Sequence, residues 1–168
     1  MVPTNPNQKK TVKKEKSLDD IDRNIIRILQ ENAKTSYREI QDKLRISIGT
    51  IHNRISKLED SQIIEGYTLN LNNIKLGYKF TFLIRVQIDG KHTAEILEKF
   101  KEKAEVCSIF HTTGEQSAAL ICRFKEPEDV HDFIRTINEE EWVTKTVSNM
   151  VLKEYKNTSS IRLPEIFK

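Results

Sequence analysis

Apolar residues recur along this chain with two periods, and the change from one to the other divides it. Between Leu18 and Leu58 the spacing is helical. Ile21, Ile25, Ile28 and Leu29 share one face of a helix starting near Leu18. Asp19 can cap that helix, and Asp22 sits in the first turn, where negative charge suits the helix dipole. Ser36 to Leu44 repeats the pattern: Ser36 and Glu39 form an S-x-x-E capping box, with Tyr37, Ile40 and Leu44 on one face. Arg45 and Ile46 make a short turn. Ser47 then caps a third helix running to Asp60, whose Ile51, Ile55 and Leu58 share a face at ~100° per residue.

After Gly66 the period falls to two. Tyr67, Leu69 and Leu71 alternate with polar residues and predict a connecting strand, closed by a turn at Asn72 and Asn73. Lys79 to Ile88 alternates again, with Phe80, Phe82, Ile84, Val86 and Ile88 on one side, and Asp89-Gly90 ends it. Thr93 to Lys103 is an amphipathic helix with Ile96, Leu97 and Phe100 inward. Val106 to Thr112 and Ala118 to Phe124 read as strands around the Thr113–Ser117 loop. Pro127 opens a helix carrying Val130, Phe133, Ile134 and Ile137, and Val143 to Tyr155 reads as a final strand. The order β-α-β-β-α-β is the split ferredoxin-like motif. The chain is therefore expected to be α+β: a helix-turn-helix (winged-helix-like) domain over 18–65, a linker strand and hinge over 66–78, a ferredoxin-like domain over 79–157 and a tail over 158–168.

The polar side of the third helix changes this from a fold to a candidate function. Gly49, His52, Asn53 and Ser56 lie opposite the apolar stripe, flanked by Arg54 and Lys57, with no acidic residue before Glu59. A solvated helix face ordinarily mixes lysine with glutamate. Small, amide and basic side chains instead suit base edges and phosphates.

Charge adds one feature. Residues 1–17 hold Lys9, Lys10, Lys13, Lys14 and Lys16 against Glu15, a net of +4, which leaves −1 for the other 151 residues. With few apolar side chains, these residues are expected to be a disordered basic arm, either a solubilising tail or a tracker of the DNA backbone. No apolar run approaches the ~20 residues of a membrane span and no secretory signal is visible, so a cytoplasmic location is expected. Cys107 and Cys122 fit no metal spacing and are expected to be small buried hydrophobes. No glycine-rich phosphate loop is visible, and no cofactor is expected.

Leu18-Asp19-Asp20-Ile21-Asp22-Arg23-Asn24-Ile25-Ile26, Ser36-Tyr37-Arg38-Glu39-Ile40 and Thr50 through Glu59 resemble the leucine-responsive regulator (Lrp/AsnC, feast/famine) family. So do Ile63-Ile64-Glu65-Gly66-Tyr67, Leu76-Gly77-Tyr78 and Thr113-Gly114-Glu115, in the right order from residue 18 to about 155. The resemblance implies a prokaryotic transcription regulator that binds double-stranded DNA; the abundance of isoleucine and lysine points separately to an AT-rich, archaeal genome. The resemblance also implies homodimers formed through the α/β domains, assembling into tetramers or octamers, and an amino-acid effector bound near the loop at 111–117. Mapped by motif, the DNA-facing positions are Ser36, Tyr37, Ser47, Gly49, Thr50, His52, Asn53, Arg54 and Lys57. The effector positions are His111, Thr113, Gly114, Glu115 and Ser117. Ser117 stands where the family commonly has aspartate, so a hydrogen-bonding group remains but a charge is lost. The lysine-rich arm is longer than the family's core needs.

Two other functions fit parts of the pattern. Relatives with this layout decarboxylate tetrapyrroles, which would draw on His92, His111, His131, Arg85 and Arg123. These residues do not converge by sequence, and catalysis needs a partnered histidine in a pocket. An architectural protein coating DNA through its arm is the other alternative.

Overall fold

The computed structural model describes residues 18–158 and 160–164. The expected basic arm at 1–17 lies outside them. The described residues divide into two compact units, one holding 18–69 together with 158 and 160–164, the other Asn70–Asn157.

The first unit is three helices: α1 (Asp20–Glu31), α2 (Tyr37–Leu44) and α3 (Ile48–Asp60). Their starts follow from side chains that satisfy the free backbone N–H groups of a first turn. Asp19 and Asp22 form a capping box on α1, Ser36 and Glu39 another on α2, and the Ser47 hydroxyl accepts from the Thr50 N–H on α3. The second helix stops at Arg45, which takes the left-handed conformation at φ 56°. The unit's core is a layer of isoleucines, Ile25, Ile28, Ile40, Ile51 and Ile55, closed by Leu58. A tail segment left unassigned by the pattern belongs to this unit as well. The Gln30 side-chain amide donates to the Ile161 carbonyl at 2.9 Å and accepts from the Leu163 N–H at 3.4 Å.

The second unit runs β1 (Phe80–Ile88), α4 (Thr93–Lys101), β2 (Val106–His111), β3 (Ala118–Phe124), α5 (Pro127–Asn138) and β4 (Val143–Met150). The sheet is antiparallel in the order β2-β3-β1-β4. Ile84, Val86 and Ile88 from β1 and Leu120, Cys122 and Phe124 from β3 face the two helices. There they pack on Ile96, Phe100, Val130, Phe133 and Ile137. The ferredoxin-like order expected from the alternating pattern is the one observed.

Three expectations need correction. Residues 67–71 form no strand, and Tyr67, Leu69 and Leu71 stay exposed. Period-two alternation makes a strand only where a second strand supplies ladder hydrogen bonds, and among the described residues none does so. The last strand stops at Met150 rather than Tyr155, because β1 begins at Phe80 and offers its last ladder pairing at Phe82↔Met150. Cys122 is buried as expected, but Cys107 is exposed. The ladder between β2 and β3 shifts register between Val106 and Ser108, and this bulge turns the intervening Cys107 out of the core.

Candidate nucleic-acid interface

The first turn of α3 differs from those of its neighbours. The first turns of α1 and α2 carry Asp20 and Asp22, and Glu39; that of α3 carries no acidic side chain. The partial positive charge of its N-terminus is therefore not neutralised from within the helix, which favours an external anion. Ser47 and Thr50 close the turn with a 2.9 Å contact between their hydroxyls.

Gly49 sits in this turn with an ordinary helical backbone. A Cβ built on it would meet only the Ser47 Oγ, at 4.0 Å. Neither backbone conformation nor internal packing requires a glycine here. In a helix interior a glycine costs about 0.5–1 kcal/mol relative to alanine, and in a first turn it still costs part of that. The bare backbone leaves space on the solvent side of the helix.

The face around Gly49 is exposed: Ser47, Thr50, His52, Asn53 and Lys57 all point to solvent. Among the described residues, Asn53 has no hydrogen-bond partner and Lys57 no ion-pair partner. Tyr37, the first residue of α2, meets His52 edge-on with ring centroids 6.1 Å apart. This contact joins the start of α2 to the second turn of α3. Ser36 is exposed beside Tyr37, though its hydroxyl and N–H are both engaged by the Glu39 carboxylate. At the far end of the helix the Tyr67 hydroxyl donates to Glu59 at 3.0 Å. Partial burial, and then the carboxylate, push that phenol up to about 12.

Arg54 behaves differently from the other expected DNA-facing residues. Its guanidinium donates to Asp19 at 2.6 Å and to Asp22 at 2.8 Å. Both are the capping-box residues of α1, so Arg54 ties α3 to the start of α1. The hydrogen bond from Arg54 holds the Asp19 carboxyl below its ordinary value of 3.8.

In the sheet unit, the loop expected to meet an effector is closed by Thr112, whose N–H and hydroxyl donate to the carbonyls of Ser117 and Gln116. Gly114 holds the loop's turn at φ 110°. His111, Thr113 and Glu115 are exposed. Lys145 donates to Glu115 at 2.9 Å, and that bond keeps the carboxyl below its usual range. The Ser117 hydroxyl accepts from the Ile88 N–H at 3.1 Å and donates to the Ile88 carbonyl at 3.0 Å. It pins the loop to the end of β1, where the ladder with β4 shifts register. This use of Ser117 was not legible from its spacing.

The residues considered for catalysis have separate surroundings. His92 stacks on Trp142 at 3.9 Å, His131 is exposed on α5, and His111 ends β2. Arg85 donates to Asn149, and Arg123 to Thr81 and Glu154. Arg123 lines a cleft with Tyr78, Lys79 and Glu154 that no histidine enters. Among the described residues no cluster of histidine, cysteine and carboxylate side chains could hold a metal ion.

Two family models match the chain. Residues 18–65 match the family model described as winged helix-turn-helix DNA-binding, and residues 81–161 match the Lrp/AsnC ligand binding domain. An uncharacterized HTH-type transcriptional regulator of Pyrococcus furiosus is 38% identical over 139 residues, covering 83% of this chain and 94% of that protein. The HTH-type transcriptional regulator Ptr1 of Methanocaldococcus jannaschii is 38% identical over 117 residues, covering 70% of this chain and 79% of its own. Among solved structures, a Neisseria meningitidis transcriptional regulator in complex with L-Met superposes with a TM-score of 0.81 at 29% identity, covering 86% of this chain and 96% of that one. Escherichia coli AsnC does so with a TM-score of 0.80 at 26% identity, covering 86% and 98%. The chain belongs to the Lrp/AsnC family of helix-turn-helix, DNA-binding transcriptional regulators.

Proposed function

We propose that this regulator recognises specific, pseudo-palindromic DNA sites as a dimer or an assembly of dimers, with α3 in the major groove. The observation that carries this reading is the exposed turn around Gly49. It combines a costly glycine without internal purpose, an N-terminus free of acidic side chains, and an asparagine with no partner. His52 and Asn53 then read bases, and Gly49 lets the backbone approach. Tyr37, Ser47, Thr50 and Lys57 hold phosphates, while Ser36, paired with Glu39, sets the start of α2 and Arg54 braces the helix from behind. The lysine arm adds sequence-independent attraction, which a body with net charge −1 does not otherwise supply.

Dimerisation rests on the second unit. One face of its sheet packs on α4 and α5, and the other has no second layer within the unit. That open face carries Leu83, Ala119, Ile121, Val147 and Phe110, the last 53% exposed. A second copy would cover it. Two-fold pairing would then set two α3 helices ~34 Å apart, in successive major grooves. Tetramers and octamers follow if dimers associate further. An amino-acid effector would meet the exposed Thr113, Gly114 and Glu115, with His111 beside them; Ser117, whose hydroxyl is already paired, would brace the loop. The protein would act in the cytoplasm.

Binding assays on variants test the roles on α3. Asn53→Ala is expected to cost ~1–3 kcal/mol at one base step and to relax specificity there. Lys57→Ala is expected to weaken all sequences alike and to lower the salt slope by ~1. An Asn53→Ala protein with unchanged preference at every position would remove Asn53 from base reading.

A further inference from the structure

Ile48 is a large apolar side chain with no internal use. It is 43% exposed and stands outside the hydrophobic core of the helical unit. It is the first residue of α3, between the Ser47 cap and Gly49. Local structure does not call for an isoleucine there. β-Branched side chains are mediocre helix formers, and first-turn positions ordinarily favour proline or acidic residues. Ile48 lies one helical turn before His52, on the same flank of α3, and His52 in turn meets Tyr37. The isoleucine is thus continuous with the exposed surface that α3 and the start of α2 present.

Base edges in the major groove offer hydrogen-bond donors and acceptors and one apolar group, the C5-methyl of thymine. We propose that Ile48 is a specificity-determining residue that packs on a thymine methyl in each half-site. This inference rests on the proposed placement of α3 in the major groove. Its branched Cβ restricts χ1, so little side-chain freedom is lost on contact. Gly49 beside it keeps the backbone thin enough for the isoleucine to reach the groove floor. His52 and Asn53 supply the polar part of the same surface.

The test uses the full chain and DNA that it has itself selected from a random pool. Each thymine of the selected site is replaced singly by uracil, which deletes only the methyl. Wild-type protein is expected to lose about fourfold in affinity at one thymine per half-site, the factor for burial of one methyl-sized group. Ile48→Ala is expected to bind thymine and uracil equally there, while Ile48→Val retains discrimination. Because Ile48 is outside the core, both variants should keep wild-type helicity by circular dichroism. A selected site at which no uracil substitution matters, or at which Ile48→Ala still loses the same factor, overturns the role of Ile48 and leaves sequence-specific binding standing. Failure of the pool to yield any preferred sequence overturns both.

Discussion

Glycine on an exposed helix face is a loss of stability that something outside the helix must justify. A methyl group at the Cβ position of Gly49 would meet only the Ser47 hydroxyl, at 4.0 Å. Gly49→Ala is therefore expected to stabilise the helical unit by up to about 0.5 kcal/mol in chemical denaturation, and at the same time to weaken DNA binding. Equal or tighter binding by the variant would show that no partner needs the space. Asp19 gives a second prediction at this scale. Its carboxyl is held below 3.8 by Arg54, so its contribution is complete above that value and is lost as pH falls through the lower folded value. The pair is exposed, so the contribution is modest, under about 1 kcal/mol. Asparagine caps a helix as well as aspartate does. Asp19→Asn should therefore lower stability near neutrality and flatten its decline below about pH 4, as followed by denaturant midpoints across pH. An unchanged acid limb would remove Asp19 from the linkage.

Elements whose signals are local were legible in the sequence. The three helices of the first unit begin where Asp19, Ser36 and Ser47 promise caps, and Ile25, Ile28, Ile40, Ile51 and Ile55 bury as the 3.6-residue period requires. Elements that need a distant partner were less so. Tyr67 to Leu71 alternates like a strand, yet alternation says nothing about whether a second strand exists to pair with it. The bulge that exposes Cys107 is likewise a property of two strands and not of one. Within the site, the outward positions of α3 followed from its period, but the internal partners of Arg54 and Ser117 did not. Asp19 is 35 residues from Arg54 and Ile88 is 29 from Ser117, and no local pattern joins them. The open sheet face carries the exposed Leu83 and Phe110. Phe110→Glu places a charge on it without touching the helix-facing core. The variant is expected to run as a monomer in analytical ultracentrifugation and to bind DNA far more weakly. An unaltered sedimentation profile would place the dimer contact elsewhere.

At the scale of the whole chain, charge and hydrophobic burial act in different places. The body beyond residue 17 has a net charge of −1, so α3 does not attract DNA through bulk electrostatics. On the proposed reading, its few polar contacts would gain strength when two copies are presented together through the sheet unit, so that specificity would belong to α3 and affinity would depend on its being doubled. The central claim is that this doubled helix distinguishes one DNA sequence from another. The most direct measurement is the affinity of the full chain, at fixed salt, for a DNA it has selected from a random pool and for a scrambled duplex of the same composition. A preference of at least about a thousandfold for the selected site is expected. Equal affinity for the two duplexes would contradict it.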